Sequence, residues 1–251
     1  MDNDIKAKLD NGIAEEMVEG ENTKASEADI SLIKEMIKAG LVYGHKKSRT
    51  NPKFKKFVFT TRNGMEIIDL PKTLPMIESA TQFLKNQIKE GKMILFVATQ
   101  PAAWDAIEEL AKKFNMPYVK DKWIGGLITN FKILSGRIEH YKKTQLGMEK
   151  GEYDKYTKKE RVIISKDVAK MKKMFGGLEN LTKFPDVIFL IDTSIKGHNT
   201  AIREAIKMKV PIIGIIDSDD NPDIIDYPIP ANDHTKMSIE WVINKIKLKL
   251  E

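Results

Sequence analysis

Three short runs in this chain are almost free of polar side chains: Met93-Ile-Leu-Phe-Val-Ala98, Asp186-Val-Ile-Phe-Leu-Ile191 and Pro211-Ile-Ile-Gly-Ile-Ile216. A strand sends alternate side chains to opposite faces, so an unbroken apolar run predicts a strand covered on both sides. All three are far too short to span a bilayer. Helical patterns separate them, and that alternation predicts an α/β fold on a mainly parallel sheet. With 251 residues the chain suits one large domain, or one domain plus an appendage. It contains no cysteine, which excludes a disulfide framework, a thiolate nucleophile, a zinc finger and an iron–sulfur site.

Local signals place the remaining elements. A helix over residues 31–38 stops at Gly40. Arg62-Asn63-Gly64 between β-like runs at 57–60 and 65–69 predicts a hairpin. Asp69 and Pro71 open a helix that Gly91 closes. Helices are predicted over 99–114, 199–208 and 233–250, and a short strand over 116–119. Tyr227-Pro-Ile-Pro230 reads as an edge strand, because proline cannot donate to a ladder.

A different pattern occupies residues 127–183. Leu127, Phe131, Leu134, Ile138, Tyr141, Gln145 and Met148 follow alternating steps of four and three, as do Ile164, Val168, Met171, Phe175 and Leu178. That is a heptad seam. The turn-forming Lys150-Gly-Glu-Tyr-Asp154 predicts that the second helix folds back, giving an antiparallel coiled-coil hairpin inserted into the α/β body. The expected division is an acidic flexible extension over 1–29, a globular domain over 30–126 and 184–251, and the hairpin over 127–183.

Charge is segregated. Residues 1–30 carry nine acids and three lysines, net −6, while the whole chain is +6, so the rest carries +12. Lys46, Lys47, Arg49, Lys53, Lys55 and Lys56 fall within residues 45–56 without one acid, and residues 127–183 hold fourteen cations against seven acids. Clustered cations beside Tyr43, Phe54 and Phe57 form the footprint expected for a polyanion, RNA or DNA, against the plainer reading of a solvated basic face. His45, within this loop, is expected to meet phosphate rather than to act in catalysis. His45, His140, His198 and His234 are scattered, with no pair at metal-ligand spacing.

The case for catalysis is thin. Thr99-Gln100-Pro101-Ala102 lacks the glycines of a phosphate cradle, and Gly125-Gly126 and Gly176-Gly177 match no phosphate motif. Asp192 and Asp217 end two strands, and Asp217-Ser-Asp-Asp-Asn-Pro-Asp223 could bind Mg²⁺ in an α/β phosphohydrolase. Turn and cap chemistry explains the same residues without a metal. The expectation is no enzyme, no cofactor, no resident metal and no small-molecule substrate. The opening Met1-Asp-Asn-Asp is not a secretory signal, which predicts a cytoplasmic protein.

Several motifs carry a resemblance. Gly40-Leu-Val-Tyr-Gly-His45, Asn51-Pro52-Lys53, Arg62-Asn63-Gly64, Ile67-Ile68-Asp69-Leu70, Trp123-Ile-Gly-Gly126, Thr129-Asn130-Phe131-Lys132, Thr157-Lys-Lys-Glu160 and Asp226-Tyr-Pro-Ile-Pro230 stand in the order seen in bacterial small-subunit ribosomal protein two. The resemblance covers roughly residues 30–245. It implies a Rossmann-like or flavodoxin-like parallel sheet flanked by helices, with a protruding coiled-coil hairpin and no enzymatic activity. It implies a place in the 30S subunit where head meets body. The partners it implies are 16S rRNA and neighbouring small-subunit proteins, with ribosomal protein one a possible addition. The residues it implies as RNA-facing are His45, Lys46, Lys47, Arg49, Asn51, Lys53, Lys55, Lys56 and Arg62 near the basic loop. To these it adds Trp123, Thr129, Asn130, Lys132, Arg137, Lys158 and Lys159. Trp123 either stacks on a base or ribose, or packs as an anchor where the hairpin begins.

Overall fold

The computed structural model describes residues 12–13, 16–17 and 27–250. The elements run α1 (Glu27–Lys38), β1 (Tyr43–Lys46), β2 (Val58–Arg62), β3 (Met65–Ile68), α2 (Leu70–Lys89), β4 (Ile94–Val97), α3 (Trp104–Lys113) and β5 (Tyr118–Val119). They continue α4 (Phe131–Glu149), α5 (Lys158–Phe175), β6 (Val187–Ile191), α6 (Lys196–Met208), β7 (Ile212–Ile216), β8 (Tyr227–Pro230) and α7 (Lys236–Leu250). The order β5-β4-β6-β7-β8 makes one sheet, in which β4/β5 and β7/β8 pair in parallel; β1-β3-β2 makes an antiparallel second. Every side chain of β4, β6 and β7 is buried, as their apolar runs require. No helix among the described residues is long and apolar enough to cross a membrane. The chain divides into two compact units, residues 1–86, 190–195 and 212–251, and residues 87–189 and 196–211.

In the first unit the β2–β3 hairpin turns at Asn63 and Gly64, with φ of 50° and 75°. Positive φ at both central residues matches the twist of the flanking strands, which is why Asn-Gly is legible there. Helix α2 buries Leu70, Thr73, Ile77, Ala80, Thr81 and Leu84, and α7 buries Ile239, Val242, Ile243 and Ile246. Steps of three and four put each set on one face, and each large apolar side chain so covered contributes about 1.5–3 kcal/mol. Strand β8 carries two prolines and stands at the sheet edge, where missing donors cost nothing. The expected flexible extension lies largely outside the described residues; within it, Ile13 and Met17 are buried.

In the second unit Phe96 of β4 meets Phe189 of β6 at 5.5 Å between ring centroids. The helix expected from residue 99 begins later, because Gln100 is extended before Pro101 and a 3-10 turn intervenes before Trp104. Helices α4 and α5 fold back on each other, bringing the Phe175 ring to 6.4 Å from Tyr141. A capping box closes the start of α5: Thr157 and Glu160 satisfy each other's backbone N–H groups. Of the seam positions, Leu134, Ile138, Tyr141, Val168 and Phe175 are buried, whereas Met148, next to the turn, is 37 % exposed. Contact is therefore tightest away from the turn.

Gly177 lies just past α5, against β5. A Cβ there would stand 2.3 Å from the Tyr118 carbonyl oxygen and 2.8 Å from its ring, whereas at Gly176 it would meet only Lys172 Cγ at 3.6 Å. Gly177→Ala should therefore lower stability by about 1–3 kcal/mol or more, while Gly176→Ala stays within about 0.5 kcal/mol of the parent. Urea unfolding of the two variants measures the contrast.

Candidate nucleic-acid interface

The basic loop is held from beneath. Asn51 Oδ1 accepts from Lys53 N–H at 3.0 Å and starts a 3-10 turn at Pro52. Phe54 and Phe57 are buried, with ring centroids 5.5 Å apart. These two aromatics, which the sequence shows interleaved with the cations, anchor the loop, and Asn51 acts as a cap. Anchoring turns Lys46, Lys47, Arg49, Lys53, Lys55 and Lys56 outward, and all six are exposed. Lys53 and Lys56 meet Asp223 at 3.0 and 3.4 Å. Both pairs are exposed and weak. Arg62, at the hairpin, pairs with Glu16 of the acidic segment.

His45 faces the other way. Its Nδ1 lies 2.9 Å from Asp217 Oδ2 and 3.4 Å from Asp219 Oδ1, and its ring stands edge-on to His234 at 4.7 Å. His234 Nδ1 lies 3.0 Å from Asp233 and 3.6 Å from Asp192. Gly44 permits this approach, since a Cβ there would lie 2.9 Å from Ser218 Oγ and 3.1 Å from Asp217 Oδ1. His45, Asp217 and His234 border a cavity of about 380 Å³ that Tyr43, Lys46, Arg49 and Asn232 also line. His45 therefore sits among carboxylates, whose charge opposes an approaching phosphate. The two histidines that appeared scattered, 189 residues apart, are neighbours because the strand ends converge.

Crowded carboxylates resist ionisation. Burial and neighbouring charge push Asp219 up, and push Asp233 well above its ordinary range. A hydrogen bond to Asp217 raises the His45 imidazole against the effect of burial. Donor atoms of Asp192, Asp233 and His234 lie within 4.8 Å of one another. Such a mixed oxygen and nitrogen set could hold a divalent cation.

In the second unit a single carboxylate organises the loop before α4. Glu204 of α6 accepts from Trp123 Nε1 at 3.1 Å and from the backbone N–H groups of Gly126, Ile128 and Thr129 at 2.8, 3.1 and 3.2 Å. It also accepts from Thr129 Oγ1 at 3.2 Å. Burial would raise the Glu204 carboxyl, but these donors outweigh it and hold it below the usual range. Trp123 is only 4 % exposed, the packing alternative rather than the stacking one. Thr129 spends its hydroxyl inward. Sequence reading missed Glu204; the only signal was an acid among the apolar positions of α6.

Lys132 and Arg137 are exposed near the start of α4, and Lys158 and Lys159 at the start of α5 beside the turn. A ligand touching both ends follows roughly 25 Å of helix. At the turn, Met148, Tyr153, Lys158, Arg161 and Val162 help line a cavity of about 590 Å³.

Known relatives match over most of this chain. The family described as Ribosomal protein S2 matches residues 36–250. The small ribosomal subunit protein uS2 of Coprothermobacter proteolyticus is 40% identical over 214 residues, 85% of this chain and 79% of the relative. The uS2 of Dictyoglomus thermophilum is 40% identical over 215 residues, 86% of this chain and 87% of its own length. The uS2 of Dehalococcoides mccartyi is 36% identical over 214 residues, 85% and 86% of the two chains.

Asp220 supplies a test of the carboxylate cluster. Burial first, then the charges of Asp192 and Asp219, push its carboxyl up to about 7 from an ordinary 3.8. Between these values the unfolded chain has lost this proton and the folded protein keeps it, so stability falls as pH rises from about 4 to about 7. Asp220→Asn removes that slope. Its stability gain should be small near pH 4, grow by at most about 1.4 kcal/mol per pH unit, and level off above about pH 7. Urea midpoints measured with a chelator present follow it.

Proposed function

The chain belongs to the ribosomal protein S2 family, and on that premise we propose that it binds 16S rRNA at the junction of head and body in the small subunit. Its role as a structural, non-enzymatic component of the small ribosomal subunit follows from the family itself, as does its place in the cytoplasm. The phosphohydrolase reading of Asp192 and Asp217 is thereby set aside. In the proposed arrangement residues 30–126 and 184–251 form the body and residues 127–183 a coiled-coil hairpin reaching along rRNA. Neighbouring small-subunit proteins, ribosomal protein one among them, complete the set of partners.

One observation carries the RNA reading: the basic loop is anchored by buried Phe54 and Phe57 while its cations stay outside. Lys46, Lys47, Arg49 and Lys55 have no carboxylate in ion-pair reach among the described residues. Cations held on a fixed frame replace the counterions of rRNA phosphates, and release of those ions drives binding. Phosphates and shape are read more than base edges.

Replacing Lys46, Lys47 and Arg49 by glutamate should leave thermal unfolding nearly unchanged, because all three side chains are exposed. Affinity for a 16S rRNA transcript should drop, and the slope of log affinity against log salt should fall by about 2–3 units. The same variant should fail to comigrate with small subunits in a sucrose gradient at moderate salt. Normal comigration of the folded variant would remove the loop from the interface.

A further inference from the structure

The loop that leads into α4 has little conformational preference of its own. It contains Gly125 and Gly126, the latter with φ of +87°, and no regular element covers residues 120–130. Its shape is imposed by Glu204, 7 % exposed, whose two oxygens receive all five donors between Trp123 and Thr129 described above. Three converging backbone N–H groups would otherwise make an anion cradle. The carboxylate fills it, so no phosphate can enter, and contact with a polyanion falls to the side chains that the loop turns outward: Lys122, Asn130 and Lys132, all exposed.

We infer that Glu204 is a positioning residue for RNA binding, fixing the loop over residues 123–130 so that Lys122 and Lys132 are presented together to rRNA phosphates. This rests on the RNA-binding reading proposed above. Glu204 itself touches no RNA; it acts by satisfying N–H groups on the inner side of the loop. The neutral amide of glutamine keeps the shape of the side chain but replaces one acceptor oxygen by an NH₂ that faces N–H donors. At least two of the five hydrogen bonds must then break. Aspartate keeps both acceptors and the charge, one methylene short of full reach.

The test uses full-length protein and a 16S rRNA transcript, with affinity measured over a range of KCl concentrations and folding followed by circular dichroism. Glu204→Gln should retain a cooperative unfolding transition, bind about 10–20-fold more weakly, and lose about 1.5–2 units of salt slope, the signature of two phosphate contacts. Glu204→Asp should recover part of both. A role confined to stability would lower the melting temperature and leave the slope of the folded protein unchanged. Folded Glu204→Gln with parental affinity and slope, beside weakened Lys122→Glu/Lys132→Glu, overturns the positioning role while leaving the RNA reading intact. Parental binding by Lys122→Glu/Lys132→Glu overturns both for this loop. Should Glu204→Gln fail to fold, Glu204→Asp decides: a reduced slope supports the role and a parental slope overturns it.

Discussion

Strands β4, β6 and β7 bury every side chain they have, and a layer covered on both faces has no place for an unpaired charge. Polar chemistry is therefore displaced to the ends of the strands. Asp192 follows β6 directly, Asp217 follows β7 directly, and Asp233 comes three residues after β8. In the first unit this gathers carboxylates from distant parts of the sequence into one buried cluster, with His45 and His234 beside them. The cluster is thus a consequence of the apolar strands rather than an independent feature.

The same unit shows how opposite charges share a small protein. Its buried carboxylates turn inward, where burial keeps protons on some of them, and its lysines turn outward from a loop pinned by two phenylalanines. A net charge of +6 understates the positive potential that an approaching polyanion meets, because protonated carboxylates contribute no negative charge and the ionised ones are recessed. Asp223 intrudes on the loop through pairs with Lys53 and Lys56 that are exposed and therefore weak.

The second unit solves a different problem. A pair of long helices must begin at a defined point, and the glycine-rich loop before α4 cannot define it. Buried Glu204 does so by collecting backbone donors that would otherwise be left unsatisfied. Gly177 does the complementary task on the return, allowing the chain to pass against the Tyr118 carbonyl. Between these two points the helical pair needs only its seam, and the seam is most deeply buried near them.

Much of this was written locally. Apolar runs marked the strands, Asn63-Gly64 the hairpin, the two prolines of β8 the sheet edge, and steps of three and four the helices, because each of these depends on neighbours a few residues away. Family membership too was legible, from motifs in a fixed order. What the sequence could not disclose depended on contacts between distant segments. Phe54 and Phe57 stood among the cations and proved to be anchors; Trp123 could stack or pack and is buried; Thr129 is spent on Glu204. His45 and His234 appeared unrelated until the strand ends brought them together. The sequence by itself determined which elements form and that the surface is cationic, since periodicity and composition are local sums. Only the tertiary structure decided which polar side chains face inward, since burial and hydrogen bonding belong to pairs of groups that chain order does not place side by side.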